Sequence, residues 1–211
     1  MNITNLSNLQ LDMLKEIGNI GAGNAATSLS KLINKRVDMQ VPSVKIVAFQ
    51  EVMNIIGGPD QMIVAILFQV QGDISGTVYF ILSKNEAEKL INQMIPSQQM
   101  DLFNGEEINE LSASVLREVG NILTGSYLTA LSDFLKVNVH PSIPYFSVDM
   151  AGAILTVGLI ELSQVTDYAI IIDTKMNGIE AGNGVNGQFF FMPEPKSVSK
   201  VFKTLGIEKD E

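Results

Sequence analysis

An α+β fold is what this 211-residue sequence predicts, with long helices packed on a largely antiparallel sheet. Three observations carry the prediction. Two long segments place apolar residues at helical spacing, and two pairs of apolar runs are joined by turn residues, the mark of β-hairpins. The third observation is a pattern that occurs twice: Asp or Ser, three residues, Glu, two residues, Asn, three residues, Gly. It stands at Asp12, Glu16, Asn19 and Gly23, and again at Ser114, Glu118, Asn121 and Gly125, every member displaced by 102 positions. Strands alternating with helices would suggest a parallel α/β sheet, but the hairpins argue against one. Each half then reads helix, strand, helix, strand, strand, helix. The expectation is a single domain over residues 1–211 with an internal pseudo-two-fold duplication, its halves spanning about residues 9–96 and 105–207. The pattern leaves open whether the halves share one sheet.

The first helix runs from about Leu9 to Lys35. Leu14, Ile17, Gly21, Ala25, Leu29 and Leu32 form an inward stripe, while Asp12, Glu16, Asn19 and Gly23 line another face. Glycine inside a helix costs about 1 kcal/mol relative to alanine. Close approach of another backbone is the usual reason to accept that cost. Gly18 and Gly21 are therefore expected to pack tightly on a sheet, and Gly23 to clear space for a partner. Val37–Phe49 reads as a strand broken by Pro42. Gln50–Ile56 is a short helix closed by Gly57-Gly58-Pro59. Met62–Gln71 and Gly76–Leu82 form a hairpin whose first strand is apolar enough to be covered on both faces. Ser83 caps a helix over Lys84–Met94, and Glu86 is placed to complete a capping box. The connector is Pro96-Ser97-Gln98-Gln99.

The second half repeats this order. Gly105–Leu135 is the second long helix, and Val137–Val148 is a strand punctuated by Pro141 and Pro144. Asp149–Leu162 replaces the short helix. Tyr168–Lys175 and Gly187–Met192 form the second hairpin around the glycine-rich, acidic loop Asn177–Asn186, and Pro195–Leu205 closes the chain as a helix.

Composition excludes several classes of function. A net charge of −9 repels phosphate backbones and argues against nucleic acid. The absence of cysteine removes disulfides, thiolate catalysis and cysteine-based zinc sites. The one histidine, His140, has no nucleophile motif beside it. Met62–Val70 and Met150–Leu162 are shorter than the roughly 20 residues that span a bilayer. Met1–Gln10 has no basic and apolar signal region, so a cytoplasmic location is expected. The run Gly21-Ala22-Gly23-Asn24-Ala25-Ala26 matches a loose dinucleotide fingerprint. That fingerprint needs a strand before it, whereas the residues upstream are helical and charged. The second copy, Leu123-Thr124-Gly125-Ser126, also lacks the paired glycines.

The recurring pair is Glu and Asn, three apart and so on one helix face. For a single such pair the plain reading is a solvated charge and a locally satisfied amide, and recurrence weighs against it. With no His, Cys or Ser alongside, covalent catalysis is not expected, nor does a repeated acidic cluster offer a metal site. A carboxylate can make one ion pair, and a carboxamide can hold one water. That suffices where a partner supplies the labile bond, the metal and the charge neutralisation, as an aspartyl phosphate on a receiver domain does.

The doubled motif, with Glu-Ile-Gly-Asn-Ile-Gly-Ala-Gly-Asn-Ala-Ala and Glu-Val-Gly-Asn-Ile-Leu-Thr-Gly-Ser-Tyr, closely resembles the CheC-type phosphatases of bacterial and archaeal chemotaxis. The likeness covers nearly the whole chain. It implies hydrolysis of phosphorylated CheY, the response regulator. By that resemblance Glu16 and Glu118 form salt bridges to a lysine of CheY, and Asn19 and Asn121 orient the attacking water. Asp12, Ser114, Gly23 and Gly125 fill the outer motif positions, and the magnesium belongs to CheY, so no cofactor or metal of its own is expected. Two intact motifs suit a monomer with two sites, unlike the single-motif, dimeric CheX type. With the sequence stopping at Glu211, the C-terminal switch domain of the FliY type is not expected. The resemblance also implies binding of the receptor deamidase CheD through the short helix of the second half, Val148–Ile154, with Asp149 as the exposed contact. A different reading is a non-catalytic adaptor that sequesters CheD or CheY.

Overall fold

The computed structural model describes residues 8–48, 51–96, 99–155, 168–177, 184–194, 196–197 and 200. Helix α1 is Asn8–Ile33, followed by the strands β1, Asp38–Gln40, and β2, Val44–Ala48. Helix α2 is Val52–Ile56, and the strands β3, Met62–Gly72, and β4, Gly76–Ser83, lead into helix α3, Lys84–Met94. A small ribbon, β5 at Phe103–Asn104 and β6 at Glu107–Ile108, precedes helix α4 at Glu110–Leu135. Strands β7, Val139–Pro141, and β8, Tyr145–Met150, lead into a helical turn over residues 151–155. Strands β9, Tyr168–Asn177, and β10, Val185–Pro193, complete the described elements.

Apart from the β5–β6 ribbon, the described strands form one sheet, and all its pairings are antiparallel. Its order is β1–β9–β10–β4–β3–β7, with β2 also on β9 and β8 also on β3. The proline-punctuated strand of each half is thus paired with the hairpin of the other. Val44 lies opposite Ile172, and Phe146, 102 positions after Val44, lies opposite Ile66. At the centre β4 meets β10, with Phe80 opposite Phe189. One face of the sheet carries α1, α3 and α4 over a core that includes Val64, Ile66, Phe68 and Phe80. The other face, with Ile63, Ala65, Tyr79 and Phe190, is covered by α2 and residues 151–155. The continuously apolar run of β3 is explained by burial on both faces.

Several expectations are corrected. The strands foreseen over Val37–Phe49 and Val137–Val148 are each split in two around proline, which can donate no ladder hydrogen bond. Helix α4 starts at Glu110 rather than Gly105. Gly105 has φ +68° in the ribbon turn, and Asn109 caps the helix by accepting from the amides of Leu111 and Ser112 at 3.0 and 3.2 Å. Ser83 caps α3 by accepting from the amide of Glu86 at 3.3 Å. The Glu86 carboxylate does not return to complete a box; it accepts from Lys89 at 2.7 Å and from the Asn186 amide of β10 at 2.6 Å. Leu32 is 55% exposed, because the stripe continues from Ala25 and Leu29 to Ile33 at steps of four, which turns Leu32 off the core. Parts of several foreseen segments lie outside the described residues: residue 49 of the first strand, 50 of the first short helix, 97–98 of the connector, 156–162 of the second short helix, 178–183 of the acidic loop, and most of Pro195–Leu205.

The helical glycines divide by what surrounds them. A Cβ on Gly18 would lie 3.4 Å from Val41 and 3.6 Å from Ile172, and one on Gly120 3.0 Å from Ile66, so these two let the helices settle on the sheet side. A Cβ on Gly21 would stand 2.5 Å from Cδ1 and 3.0 Å from Cα of Tyr127, so its close neighbour is helix α4 and not the sheet. Around Gly23 nothing lies within 4 Å. Opposite outcomes are expected for the same change. Gly21→Ala lowers stability by about 2 kcal/mol through overpacking, whereas Gly23→Ala raises it by up to about 1 kcal/mol through helix propensity. Chemical denaturation of the two variants beside the parent measures both.

Candidate functional site

The helix α1 carries its polar motif on the side away from the sheet because its apolar residues are spent on the core. Leu14, Ile17, Ala25 and Leu29 are buried, while Asp12, Glu16, Asn19 and Gly23 are exposed. Helix α4 repeats the arrangement. Leu116, Val119, Leu123 and Tyr127 are buried; Ser114, Glu118 and Asn121 are exposed, and Gly125 is half-buried.

The two helices lie against one another in opposite directions. Gly21 abuts Tyr127, and an apolar cavity between helices and sheet is lined by Leu14, Ile17 and Gly18 from α1 and by Tyr127, Leu128 and Leu131 from α4. The earlier residues of α1 therefore meet the later residues of α4. With Gly21 and Tyr127 level, Asn19 and Asn121 are offset along the pair by roughly 12 Å at 1.5 Å per residue, and Glu16 and Glu118 by roughly 21 Å. The structure thus brings Glu16 together with Asn19 and Glu118 together with Asn121, as two separate pairs on one helical layer.

Neither pair is engaged. The side chains of Glu16, Asn19, Glu118 and Asn121 make no hydrogen bond or ion pair with other described residues. Nearby polar groups turn elsewhere. Thr27 donates to the carbonyl of Gly23 at 2.9 Å, and Ser28 to that of Asn24 at 3.1 Å. Arg117, next in sequence to Glu118, places its guanidinium 5.1 Å from the ring centre of Phe146. Solvated and unpaired, the carboxylates and amides are held at low cost until something displaces the water. Among the described residues no three of His, Asp and Glu gather as a metal-binding set. A second depression, of about 460 Å³, opens where Asp173 and Gln188 lie. Its Asp173 carboxylate is already taken by Ser43, by Lys45 at 3.4 Å and by Gln188 at 3.3 Å.

Asp149 is exposed, but it stands on strand β8 opposite Ile63 and not on the short helix, which begins only at residue 151. Its carboxylate accepts from the amide of Met150 at 2.7 Å. The run Val148-Asp149-Met150 continues the ladder because β3 offers partners as far as Met62, which lies opposite Met150. Spacing in the sequence could not show that. Beneath the site is a joint that the motif pattern gave no hint of: the buried Tyr127 hydroxyl is 3.0 Å from that of Thr174 on β9, tying α4 to the sheet. An apolar residue between two helices and a strand reads as plain core in a sequence, and nothing in its spacing marks the hydroxyl.

Comparison with known proteins agrees with this architecture. The CheC-like family model matches residues 9–46 and 111–148, two segments that each contain one motif. The chain is 40% identical over 199 residues to the CheY-P phosphatase CheC of Bacillus subtilis, covering 93% of this chain and 94% of that protein. It is 28% identical over 141 residues to the flagellar motor switch phosphatase FliY of the same organism, covering 66% of this chain and 36% of FliY. In fold it resembles the crystal structure of Thermotoga maritima FliY, with a TM-score of 0.73 at 21% identity over 97% of this chain and 99% of that one. Fold and site thus define a two-motif relative of the chemotaxis and flagellar-switch phosphatases. The chain belongs to the CheC-like family. No helix among the described residues is long and apolar enough to cross a membrane.

Burial of Tyr127 raises its hydroxyl from the ordinary 10.0 to about 12, with the Thr174 hydrogen bond acting in the opposite direction. The folded state therefore favours the neutral phenol. That contribution is whole below pH 10 and is lost as pH rises from 10 towards 12, to the extent of roughly 2–3 kcal/mol. Denaturation midpoints followed from about pH 9 to 12 should fall for the parent. They should fall less steeply for Tyr127→Phe, whatever that variant's starting stability.

Proposed function

We propose that the protein hydrolyses the aspartyl phosphate of phosphorylated CheY, with Glu16–Asn19 and Glu118–Asn121 as two sites completed by the docked partner. The observation that carries this is the doubled, exposed Glu/Asn pair, without a side-chain partner among the described residues, in a chain 40% identical, over almost its full length, to a CheY-P phosphatase. The carboxylate of each pair takes the lysine of the CheY active site. The carboxamide beside it both accepts and donates hydrogen bonds, and so holds a water in line with the phosphorus. The water oxygen attacks phosphorus and the bond from phosphorus to the aspartyl oxygen breaks. Inorganic phosphate leaves with the water's protons, and the aspartate carboxylate is restored. Positioning and electrostatics are what such a transfer needs from a catalyst. The magnesium that neutralises the phosphoryl oxygens belongs to CheY, and no cofactor resides on this chain.

The chain acts as a single monomeric domain whose halves, about residues 9–96 and 105–207, are related by a pseudo-two-fold. Supporting this are the common displacement of both motifs, the reciprocal pairing of each half's split strand with the hairpin of the other, and the central pairing of Phe80 with Phe189. Such a chain presents one site on α1 and one on α4.

Phosphate release from phospho-CheY tests the reading. Asn19→Ala and Asn121→Ala should each leave a substantial part of the activity, about half if the sites are independent. The double variant should lose at least about a hundredfold. Full activity in the double variant sinks the proposal.

CheD is the second proposed partner, held at the end of β8 and the helical turn after it. Asp149 is exposed there on the α2 side of the sheet, opposite Ile63, while Met150 and Met62, 49% and 39% exposed, lie opposite each other on the other face of the same strand pair. Asp149→Lys should weaken CheD binding by about tenfold or more in a titration while phospho-CheY hydrolysis without CheD continues. Unchanged CheD affinity removes this part. Tight CheD binding by a parent protein that leaves the phospho-CheY lifetime unchanged would favour an adaptor instead.

A further inference from the structure

Each motif asparagine is followed by isoleucine, Ile20 after Asn19 and Ile122 after Asn121. Their surroundings differ. Ile122 is half-buried and packs against the core between the helices and the sheet. Ile20 is 46% exposed and is not part of that core. It follows Glu16 by four residues and precedes Gly23 by three, so it stands within the motif face beside Asn19. Beyond it Gly23 leaves open space, with nothing within 4 Å of where a side chain would begin. A lone exposed isoleucine needs no special reason on most surfaces. This one is set beside Glu16 and Asn19, whose side chains make no hydrogen bond or ion pair with other described residues, and below the open space at Gly23. It is also β-branched, which helix propensity does not favour. An apolar side chain ringed by polar groups is the arrangement of a docking hot spot, where the rim excludes water from the centre.

We propose that Ile20 is the apolar anchor through which the first site binds the phosphorylated receiver domain, a contact the second site offers less of because Ile122 is half-buried against its own core. This rests on the phosphatase reading above and adds to it that the two sites differ in affinity. The receiver is required to offer an apolar patch next to its phosphorylated carboxylate. The contact is made equally in the bound substrate and in the transition state, so it lowers KM and leaves kcat alone.

The experiment uses the full chain carrying Asn121→Ala, in which only the first site remains, with phospho-CheY as substrate. Adding Ile20→Ala should raise KM about fivefold with kcat held within about twofold. Ile20→Ser should do the same or more, Ile20→Leu should keep KM near the parent value, and all three should melt with the parent. An unchanged KM in Ile20→Ala and Ile20→Ser overturns the proposal, as does a fall in kcat at constant KM. Failure of the phosphatase reading is seen separately, as undiminished hydrolysis in the Asn19→Ala, Asn121→Ala double variant before any change at Ile20.

Discussion

Helix α1 comes closer to helix α4 than any side chain would permit, and the site depends on that contact. A methyl group at Gly21 would meet both the ring and the backbone of Tyr127. Tyr127 in turn is held from below by the Thr174 hydroxyl and from the side by Phe189, whose ring centre is 4.8 Å from its own. The two helices and the sheet are thus locked through one buried aromatic side chain. Close packing of this kind fixes position because interiors have little room to give. It sets the direction and the level of α1 against α4, and with them the places of both Glu/Asn pairs. The pairs themselves are exposed and contribute nothing to the lock, so the scaffold is separated from the chemistry it presents.

The sheet enforces the same result by pairing across the halves. Strands β1 and β2 lie on β9, strands β7 and β8 lie on β3, and the centre is closed by β4 on β10. Neither half retains its full set of strand partners without the other. Had each half kept its own strands, a joint between two separate sheets would have borne the placement of α1 against α4. Here a continuous ladder bears it, and rotation of one half against the other would break backbone hydrogen bonds whose buried loss is costly.

What the sequence disclosed follows from the range of the forces involved. Helices α1, α2 and α3, most of α4, both hairpins, the cap at Ser83 and the polar faces are legible because they are written at spacings of two to four residues. The antiparallel, mixed character of the fold followed from the hairpins. Strand exchange between the halves was not legible, since the partner of Val44 is Ile172 and nothing local to either names the other. The same limit explains Gly21. Its spacing revealed a close approach, but whether sheet or helix approaches is decided by residues more than a hundred positions away. Glu86 fits a capping box by spacing and is instead claimed by the Asn186 amide, a competitor that only the folded chain brings near. The apolar run after Asp149 places it on a helix by local preference, and the ladder with β3 overrides that preference.

Glycine at position 23 sharpens what kind of surface this is. Gly21 and Gly23 are two residues apart in one helix and incur the same penalty in helix propensity. At Gly21 the folded chain itself supplies the reason, in the Tyr127 contact. At Gly23 it supplies none: the backbone has no left-handed φ, and the space above is open. Gly125 is in the same position on α4, with nothing within 4 Å. Two sites in one molecule therefore accept a stability cost that no internal contact of the described residues explains, each one turn beyond an asparagine with no partner. A docked body that needs the clearance accounts for both. On the reading proposed above it accounts as well for the exposed carboxylates and amides beside them, whose side chains make no hydrogen bond or ion pair with other described residues.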